Sequence, residues 1–594
     1  MAGTPAIGDG ASLALGAETR QEQPIILIRG FGGLSVEDEK KIAYQGFNDG
    51  TVYPHKRGEN YIYEGMILKF MKSRWSYFDA TNVIGYHGQK VELPEDMIPE
   101  ELTKLSMPHD WFSGHKIVID PGMALRLTAT LTDPSKSIWV FRYYDLDNRE
   151  QFREYAEALK RLIDFIRILA GRNGRTPKVN IIAHSMGGLI AREAIQSVYQ
   201  KGEAELCINK VVTLGTPHQG IAFQVVERWI GLSAGAELER FNPEKQADRT
   251  NAYSYLNFSK HFPPERLLTV VGTNYRTYGP VAASWLNRAF SVAGEFGANY
   301  NRSDGLVKQH NAMLPGAPRT FVHKCHGGSD SLVTSREAFE IATRFLFGNV
   351  HVRLNLMKAE VTRGFDFIGK SEFFFGVSIK PRGVDFDLFH QSAEAENCYG
   401  PFADAQFRDP EPAFGWAGSD RLIWEGWLDT TSRFTPVPRA RTTTAPDTTP
   451  SDLVMRLDVY VGERDLFGFG FSDNVVFRKQ YYIRAVFRDD SNTLIERFEL
   501  HAREDFSQPL GDTYLTAQGW RFTVSGTGFN AEMLLSFATV PETGPPVPVE
   551  FDASPPAVAV ATPAAFEPAR PGEVPTRTEP DGGGVMGWLR RQFG

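Results

Sequence analysis

Cysteine is scarce in this chain. Its 594 residues include three, Cys207, Cys325 and Cys398, and their wide spacing fits neither a disulfide framework nor a cysteine-based zinc site. A reduced compartment is compatible with so few thiols. The sequence also lacks an H-x-x-x-H pair or a carboxylate cluster of the kind that binds metal, so we predict that the protein needs no metal and no organic cofactor.

Long apolar runs and runs of basic residues are absent too. No stretch of about 18 apolar residues could span a membrane, and residues 1–23 have no basic start that would indicate a cleaved secretory signal. We therefore expect a cytoplasmic protein by default, and export as a toxin or effector would need a route independent of such a signal. The formal charge of −8 excludes nucleic acid as an expected partner.

Apolar and charged residues occur in the proportions of a globular protein, at 42% and 23%. From residue 24 to residue 348, short apolar runs alternate with helical stretches, a pattern typical of a parallel sheet covered by helices. We predict an α/β domain over 24–348, with an elaborated insertion at 34–136. The predicted strands are PIILIRG (24–30), SIWVFRYY (137–144), KVNIIAHS (178–185), NKVVTLGT (209–216) and RLLTVVGT (266–273).

Helical periodicity fills the segment between the second and third of these strands. Across 150–171, apolar residues from Phe152 to Leu169 recur at the spacing of one helix face, and Gly171 is placed to end the helix. Strand, helix and strand in this order predict a βαβ crossover in the middle of the α/β domain.

The pattern changes after Gly348. Segments rich in β-branched and aromatic residues follow one another with turn residues between them, which predicts an antiparallel β-sandwich-like domain over 349–541 with a long exposed loop at 435–452. Residues 542–594 are rich in Pro, Ala and Gly and predict a flexible tail, ending in either a short amphipathic helix or a frayed end. Residues 1–23 predict a flexible N-terminus.

The strongest local signal is the segment KVNIIAHSMGGLIAREAI. An apolar strand runs into Ser185 and then directly into a helix, which is the arrangement of a nucleophile elbow. A serine in such a turn needs small residues two positions before and after it, and Ala183 and Gly187 meet that need. Ala183 stands where the G-x-S-x-G pattern has glycine, which adds one methyl group to the turn. We predict that Ser185 is the nucleophile.

AHSMGGLIAR, followed by VVTLGTPHQG, resembles the lipase branch of the α/β-hydrolases, including the inositol-deacylase-like and related bacterial lipases. The resemblance implies an α/β-hydrolase fold with a mostly parallel central sheet. It also implies a Ser-His-Asp triad in the chain order serine, acid, histidine. Within these motifs, His218 and His184 are expected to be structural rather than catalytic.

Two backbone amides are expected to bind the oxyanion of an acyl-transfer reaction. Met186, directly after the nucleophile, supplies the first. PIILIRGFGG resembles the family's strand that ends in His-Gly-x-x-Gly, with Arg29 in place of the histidine, and this likeness makes Phe31 the second donor. Because the donor is a backbone N–H, the change from histidine to Arg29 does not remove it.

The acid and the base should follow the nucleophile along the chain. SDGLV resembles the family's acid segment, which implies that Asp304 is the acid, with an ordinary turn aspartate as the alternative. RTFVHKCHGG contains two histidines. The family's base lies just past the last strand, which favours His326 and leaves His323 on a face of the strand TFVHKC. Asp330 follows His326, so its order along the chain is wrong for the acid.

These residues predict a serine carboxylic-ester hydrolase that works through an acyl-enzyme. In lipases, the region corresponding to 221–265 carries helices that cap the site. Here it contains a cluster of apolar residues, Phe223, Val226, Trp229, Ile230 and Leu232. An apolar cap favours a lipase or phospholipase acting on a lipid ester, with contact to a membrane surface. The alternative is that this cluster packs onto the core, with no part in substrate choice.

Other functions fit the same residues. A thioesterase or acyltransferase would use the same triad with another leaving or accepting group, and an amidase would cleave an amide. A hydrolase fold used only for binding is the alternative from another class. A pure binding protein has no physical need for a nucleophile, an acid and a base together, so the sequence favours the enzyme.

Overall fold

The computed structural model describes the chain in segments, and every described residue lies in the compact unit Met1–Ala553. The predicted loop 435–452 and nearly all of the predicted tail lie outside the described residues. The described residues are 13–14, 22–30, 65–72, 75–81, 83, 92–105, 107–113, 119–130, 134–141, 143, 151–171, 177–221, 240–274, 303–328, 330–362, 372–381, 386–391, 399–402, 421–428, 453–464, 474–487, 494–506, 509–511, 513–541 and 546–548.

Among the described residues, seven strands form a central sheet in which all neighbours run parallel. The first strand of the chain, β1 (Leu13–Ala14), belongs to another sheet, and the central strands are β2 (Ile25–Ile28), β3 (Phe78–Asp79), β4 (Ser137–Phe141), β5 (Val179–His184), β6 (Ile208–Leu214), β7 (Leu267–Gly272) and β8 (Arg319–Val322). Across the sheet their order is β3-β4-β2-β5-β6-β7-β8. The predicted α/β-hydrolase fold is confirmed.

The chain leaves β2 and β5 toward opposite sides of the sheet. After β2 it builds β3 and β4 on one side, whereas after β5 it builds β6 on the other. Such a reversal opens a crevice at the carboxyl ends of the two strands, where α/β sheets bind their ligands. The residues directly after Ile28 and His184 therefore meet at this crevice.

Helices cover both faces of the sheet, because its strands are apolar on both sides. The helix predicted over 150–171 is present and ends as expected, with the N–H of Gly171 donating to the carbonyl of Arg167. Within the described part of the chain, no helix has the length and apolar character needed to cross a membrane. The α-helices are α1 (Gly65–Met71), α2 (Glu100–Thr103), α3 (Pro121–Thr130), α4 (Phe152–Ala170), α5 (Met186–Glu193), α6 (Glu203–Cys207), α7 (Pro243–Ala247) and α8 (Arg336–Phe347).

Shorter helical turns connect these elements. A π-helical turn, Ala194–Val198, directly continues α5. Single or double 3₁₀ turns occupy Glu95–Met97, His109–Trp111, Pro134–Lys136, Tyr255–Lys260, Pro264–Arg266 and His310–Ala312.

Part of the predicted insertion 34–136 extends the central sheet. Its short strand β3 pairs with the start of β4, where Phe78 lies opposite Ser137. Its helix α1 packs on α8 through the rings of Phe70 and Phe339, whose centroids are 4.9 Å apart. The insertion thus supplies an edge strand and a covering helix to the α/β domain.

In the described segments after Gly348, two antiparallel sheets make up the β-rich part. Their strands are β9 (Val350–Val361), β10 (Glu372–Pro381), β11 (Phe389–Gln391), β12 (Tyr399–Phe402), β13 (Leu422–Leu428), β14 (Leu453–Arg464), β15 (Asn474–Phe487), β16 (Leu494–His501), β17 (Thr513–Thr516), β18 (Gly519–Gly526), β19 (Phe529–Thr539) and β20 (Val547–Pro548). One sheet has the order β1-β16-β15-β14-β10-β11, with β12 also on β10, and the other has the order β13-β9-β19-β18-β17, with β20 on β19. Leu13–Ala14, within the predicted N-terminal segment, is thus a strand.

Aromatic side chains join the two antiparallel sheets. Phe375 of the first sheet lies 6.0 Å from Phe529 of the second, measured between ring centroids. Phe498 of the first sheet lies 4.8 Å from Phe537 and 5.5 Å from Trp520. Along β18, the buried Trp520, Phe522 and Val524 alternate with more exposed residues, as expected for a strand of two packed sheets. The prediction of a β-sandwich-like part after Gly348 is confirmed.

A buried acid joins this sandwich to the central sheet. Glu425 of β13 accepts hydrogen bonds from the amide of Arg319 in β8, at 3.1 Å, and from Nε2 of His351, also at 3.1 Å. The His351 ring in turn stacks on Trp427, with centroids 4.7 Å apart and planes 9° apart. Burial alone would raise the pKa of Glu425, but the hydrogen bonds and the charge of His351 outweigh it, and the pKa is lowered.

We expect Glu425→Gln to reduce the free energy of unfolding at pH 7 by about 1–3 kcal/mol, because the carboxylate accepts two buried hydrogen bonds. A folded-state pKa below the ordinary value of 4.5 means that the stability due to ionised Glu425 is complete above that value and is lost as the pH falls below it. The difference in free energy of unfolding between wild type and Glu425→Gln should therefore become smaller below pH 4.5. Urea unfolding of both proteins at about pH 7, 5 and 4 measures this difference. Glu360→Gln, at a more exposed residue, is the control. A difference that does not change with pH would refute this assignment.

Candidate active site

Ser185 occupies the turn between β5 and α5. Its backbone has φ 52° and ψ −125°, a conformation that residues other than glycine rarely adopt. The surrounding structure holds it there, since the amide of Ser185 donates to the carbonyl of Leu214 at 2.9 Å. The serine hydroxyl is thereby presented at the crevice between β2 and β5, as a nucleophile elbow requires.

Two glycines allow the backbone after β2 to approach this turn closely. A methyl group added to Gly187 would lie 2.5 Å from the carbonyl oxygen of Arg29, and one added to Gly30 would lie 2.9 Å from Cβ of Ser185. Real side chains do not approach so closely. The small residue predicted at 187 is therefore needed for the contact with β2, and Gly30 meets the same steric demand from the opposite side of the crevice.

Ser185, His326 and Asp304 form a continuous chain of hydrogen bonds. Nε2 of His326 lies 2.8 Å from Oγ of Ser185, and Nδ1 lies 2.8 Å from Oδ2 of Asp304. Because an ionised carboxylate can only accept, Nδ1 carries the proton and Nε2 can accept the serine proton. Each of the three residues is 1% exposed, so bulk water does not compete for these hydrogen bonds. The structure thus brings the three predicted residues together.

Asp304 is fixed by its own backbone. Its Oδ1 accepts from the amides of Leu306, at 3.0 Å, and Val307, at 2.8 Å, which leaves Oδ2 for the histidine. Gly215, with φ 56°, gives the carboxylate room, since a methyl group there would lie 2.8 Å from Oδ2. The sequence signal for this role is Gly215 near the end of the predicted strand NKVVTLGT (209–216), because a glycine within a strand often marks a close approach of other groups.

The alternative residues have other partners. β8 ends at Val322, so it is shorter than the predicted strand TFVHKC, and His323 follows it rather than lying on its face. Nδ1 of His323 lies 3.1 Å from Oγ1 of Thr273. Asp330 pairs with Lys324, with 2.8 Å between carboxylate oxygen and Nζ. Neither side chain takes part in the hydrogen bonds around Ser185 described above.

His218 lies in a buried network with Arg192 of α5. Its Nε2 is 3.0 Å from Oγ1 of Thr213, and its carbonyl accepts from Nη1 of Arg192 at 2.7 Å. Burial, reinforced by the charge of Arg192, lowers its pKa well below the usual range, so the ring stays neutral. These contacts are those of a structural histidine.

The predicted oxyanion donors are only partly described. Met186 is the first residue of α5, so its amide belongs to the positive end of the helix dipole beside Ser185. Phe31 lies outside the described residues. Arg29, two residues before it, is 4% exposed, which places a guanidinium in the buried region next to the crevice.

The predicted cap is described only in its second half, because the apolar cluster of Phe223 to Leu232 lies outside the described residues. The segment from residue 240 onward is bound firmly to α5. Arg192 of α5 donates to the side chain of Gln246, and Arg240 pairs with Glu193 at 2.7 Å. Residue 240, where the description of the chain resumes after the apolar cluster, therefore lies next to α5.

Comparison with known proteins adds a family match over part of the chain. Residues 145–257 match the family described as the PGAP1-like alpha/beta domain. No curated protein matches the chain. Similar solved structures include the mature lipase BlEst2 of Bacillus licheniformis, with 19% identity over 35% of this chain and 78% of that chain and a TM-score of 0.25. They also include the lin2722 product of Listeria innocua, with 12% identity over 55% of this chain and 94% of that chain and a TM-score of 0.27. A third is phospholipase PlaB of Legionella pneumophila, with 12% identity over 66% of this chain and 90% of that chain and a TM-score of 0.25. Likeness at this level transfers no activity to this chain.

Proposed function

We propose that this chain, an α/β-hydrolase by its sheet order, is a serine hydrolase of carboxylic esters with Ser185 as nucleophile, His326 as base and Asp304 as acid. One observation carries the proposal, the pair of 2.8 Å hydrogen bonds that join Ser185 to His326 and His326 to Asp304. An uncharged serine is a weak nucleophile, and a base in contact with its hydroxyl is what activates it.

In the proposed reaction, Oγ of Ser185 attacks the ester carbonyl carbon while its proton moves to Nε2 of His326. The tetrahedral intermediate then collapses, its C–O bond to the alcohol breaks, and the alcohol leaves with the proton from His326. Water next gives a proton to His326 and attacks the acyl-serine. The carboxylic acid product is released as that proton returns to Ser185. Asp304 stabilises the imidazolium during both acylation and deacylation.

The amides of Met186 and Phe31 are the proposed donors to the oxyanion. Met186 is proposed because it begins α5, and Phe31 because of the motif RGFGG and the close approach of Gly30 to Ser185. Preorganised amides of this kind supply much of the rate enhancement in acyl transfer.

A lipid ester is the proposed substrate class, so that the enzyme would be a lipase or phospholipase working at a membrane surface. Two features support it. The triad is almost completely buried, so an ester bound at Ser185 is shielded from bulk water, and in the sequence the apolar cluster of 222–239 stands directly before residues that contact α5. Acyl chains match such surroundings better than small polar esters do.

Mass spectrometry of lipids tests this function. Total lipid vesicles incubated with the wild-type protein should release free fatty acid and the matching lyso- or alcohol product, and Ser185→Ala should release neither. A parallel panel of esters, thioesters and anilides of equal acyl length distinguishes the alternatives. Faster cleavage of the thioester or anilide than of the ester would replace the proposed function by a thioesterase or amidase. Transfer to an added alcohol in preference to water would indicate an acyltransferase.

A further inference from the structure

His184, the residue before the nucleophile, contacts the proposed base. Its Nε2 lies 2.8 Å from the backbone carbonyl oxygen of His326, and the two rings are 4.9 Å apart between centroids. The side chain is 2% exposed. Residue 184 is the last of β5, so its ring is carried by the same rigid strand that presents Ser185.

The partner of His184 fixes its tautomer. A carbonyl oxygen can only accept a hydrogen bond, so Nε2 of His184 must carry the proton. Nδ1 is then the unprotonated nitrogen, and it faces Gly30, where an added methyl group would lie 2.7 Å from it. His184 therefore fills the space between the end of β2 and the loop of the base.

The backbone of His326 is held on both sides. Its amide donates to the carbonyl of Asp304 at 2.9 Å, and its carbonyl accepts from His184. The first bond ties the base to the acid, and the second ties it to the strand that carries the nucleophile. Of the two, only the bond from His184 links the loop of the base directly to β5.

We propose that His184 is a positioning residue for the reaction, which sets the distance between Nε2 of His326 and Oγ of Ser185 by holding the loop of His326 against β5. The inference rests on the proposed serine-hydrolase function. A misplacement of about 1 Å can reduce the rate of such a reaction by about 100-fold, so the effect of this single bond is measurable.

The residue suits this task because it stays uncharged. Burial, with a further contribution from the neighbouring His326, lowers the pKa of His184 to about 3. When His326 takes the serine proton, no second positive charge therefore stands beside it. A lysine or arginine at this position could donate the same hydrogen bond but would oppose the imidazolium.

Two variants of His184 separate positioning from packing. In His184→Gln, the amide nitrogen can reach the position of Nε2 and still donate to the His326 carbonyl, whereas His184→Phe fills the space without a donor. We expect kcat of His184→Phe to fall by about 10- to 100-fold with KM within about twofold of wild type, and His184→Gln to recover to within about threefold of wild-type kcat. Ester kinetics on the full chain, normalised to sites titrated with a fluorophosphonate, measure both.

The matched control is the same pair of substitutions at His323, which belongs to the same loop but bonds Thr273. Both control variants should keep kcat within about threefold of wild type. Equal losses in the Phe and Gln variants of His184, or a loss that appears only in KM, would overturn the positioning role. If His184→Phe does not fold, the Gln variant decides. A kcat of His184→Gln more than about tenfold below that of wild type would then overturn the positioning role. If wild type cleaves no ester at all, the proposed function fails instead, and the two failures remain distinct.

Discussion

We expect Ser185→Ala to lose ester hydrolysis, with kcat/KM lower by about 10⁴- to 10⁶-fold, in a protein that stays folded. The reason is that Oγ of Ser185, which contacts Nε2 of His326, is the proposed nucleophile. Without it no acyl-enzyme can form, and the residual rate comes only from water in a site that still binds the substrate. Initial rates on a soluble ester, with fluorophosphonate labelling followed by mass spectrometry, measure the loss.

The stability of this variant should match that of wild type. Alanine keeps a Cβ, so the positive φ of residue 185 costs the same in both proteins. Ser197→Ala, in the π-helical turn that continues α5, serves as the control and should keep full activity. Activity of Ser185→Ala within about tenfold of wild type would exclude Ser185 as the nucleophile, and with it the proposed mechanism.

The second large effect is expected at the base and the acid. His326→Ala should lower kcat by about 10⁴- to 10⁶-fold, and Asp304→Asn by about 10⁴-fold, because asparagine keeps the shape but not the charge or tautomer that the histidine needs. Both should also slow fluorophosphonate labelling of Ser185, since that reaction uses the same activated hydroxyl. Stopped-flow ester hydrolysis and labelling kinetics together test the two variants.

His323→Ala is the discriminating control for this experiment. Its ring bonds Thr273 after the end of β8, so its removal should alter the unfolding midpoint more than kcat. A His323→Ala protein that is folded and inactive, beside an active His326→Ala, would mean that the base has been assigned to the wrong histidine.

Much of the fold follows from local sequence pattern. The strands before Arg29 and before Ser185 are short apolar runs buried on both faces, and such runs identify parallel strands well. The amphipathic helix Phe152–Ala170 is equally clear, because its apolar residues keep one spacing along its whole length. β3 escapes prediction, since Phe78–Asp79 is two residues long and joins the sheet through its partner strand rather than through any pattern of its own.

The site divides in the same way. Chain order and motif select Asp304 and His326, the two residues that the structure joins to Ser185 by hydrogen bonds, because the fold presents its strand ends in a fixed order. The supporting contacts cannot be foreseen, since Gly215 and His184 act through Asp304 and His326, which are far from them along the chain. Phe31 as the second oxyanion donor remains a prediction from the motif.

The order of strands in the second antiparallel sheet bears on how the protein is made. β9 lies between β13 and β19, and β19 ends only at Thr539, whereas the central sheet is complete at Val322. On the ribosome, the α/β part can form its central sheet while one edge of β9 is still unpaired. Open edges of this kind recruit strands from other chains. During this interval the C-terminal half is therefore most prone to aggregate through the unpaired edge of β9.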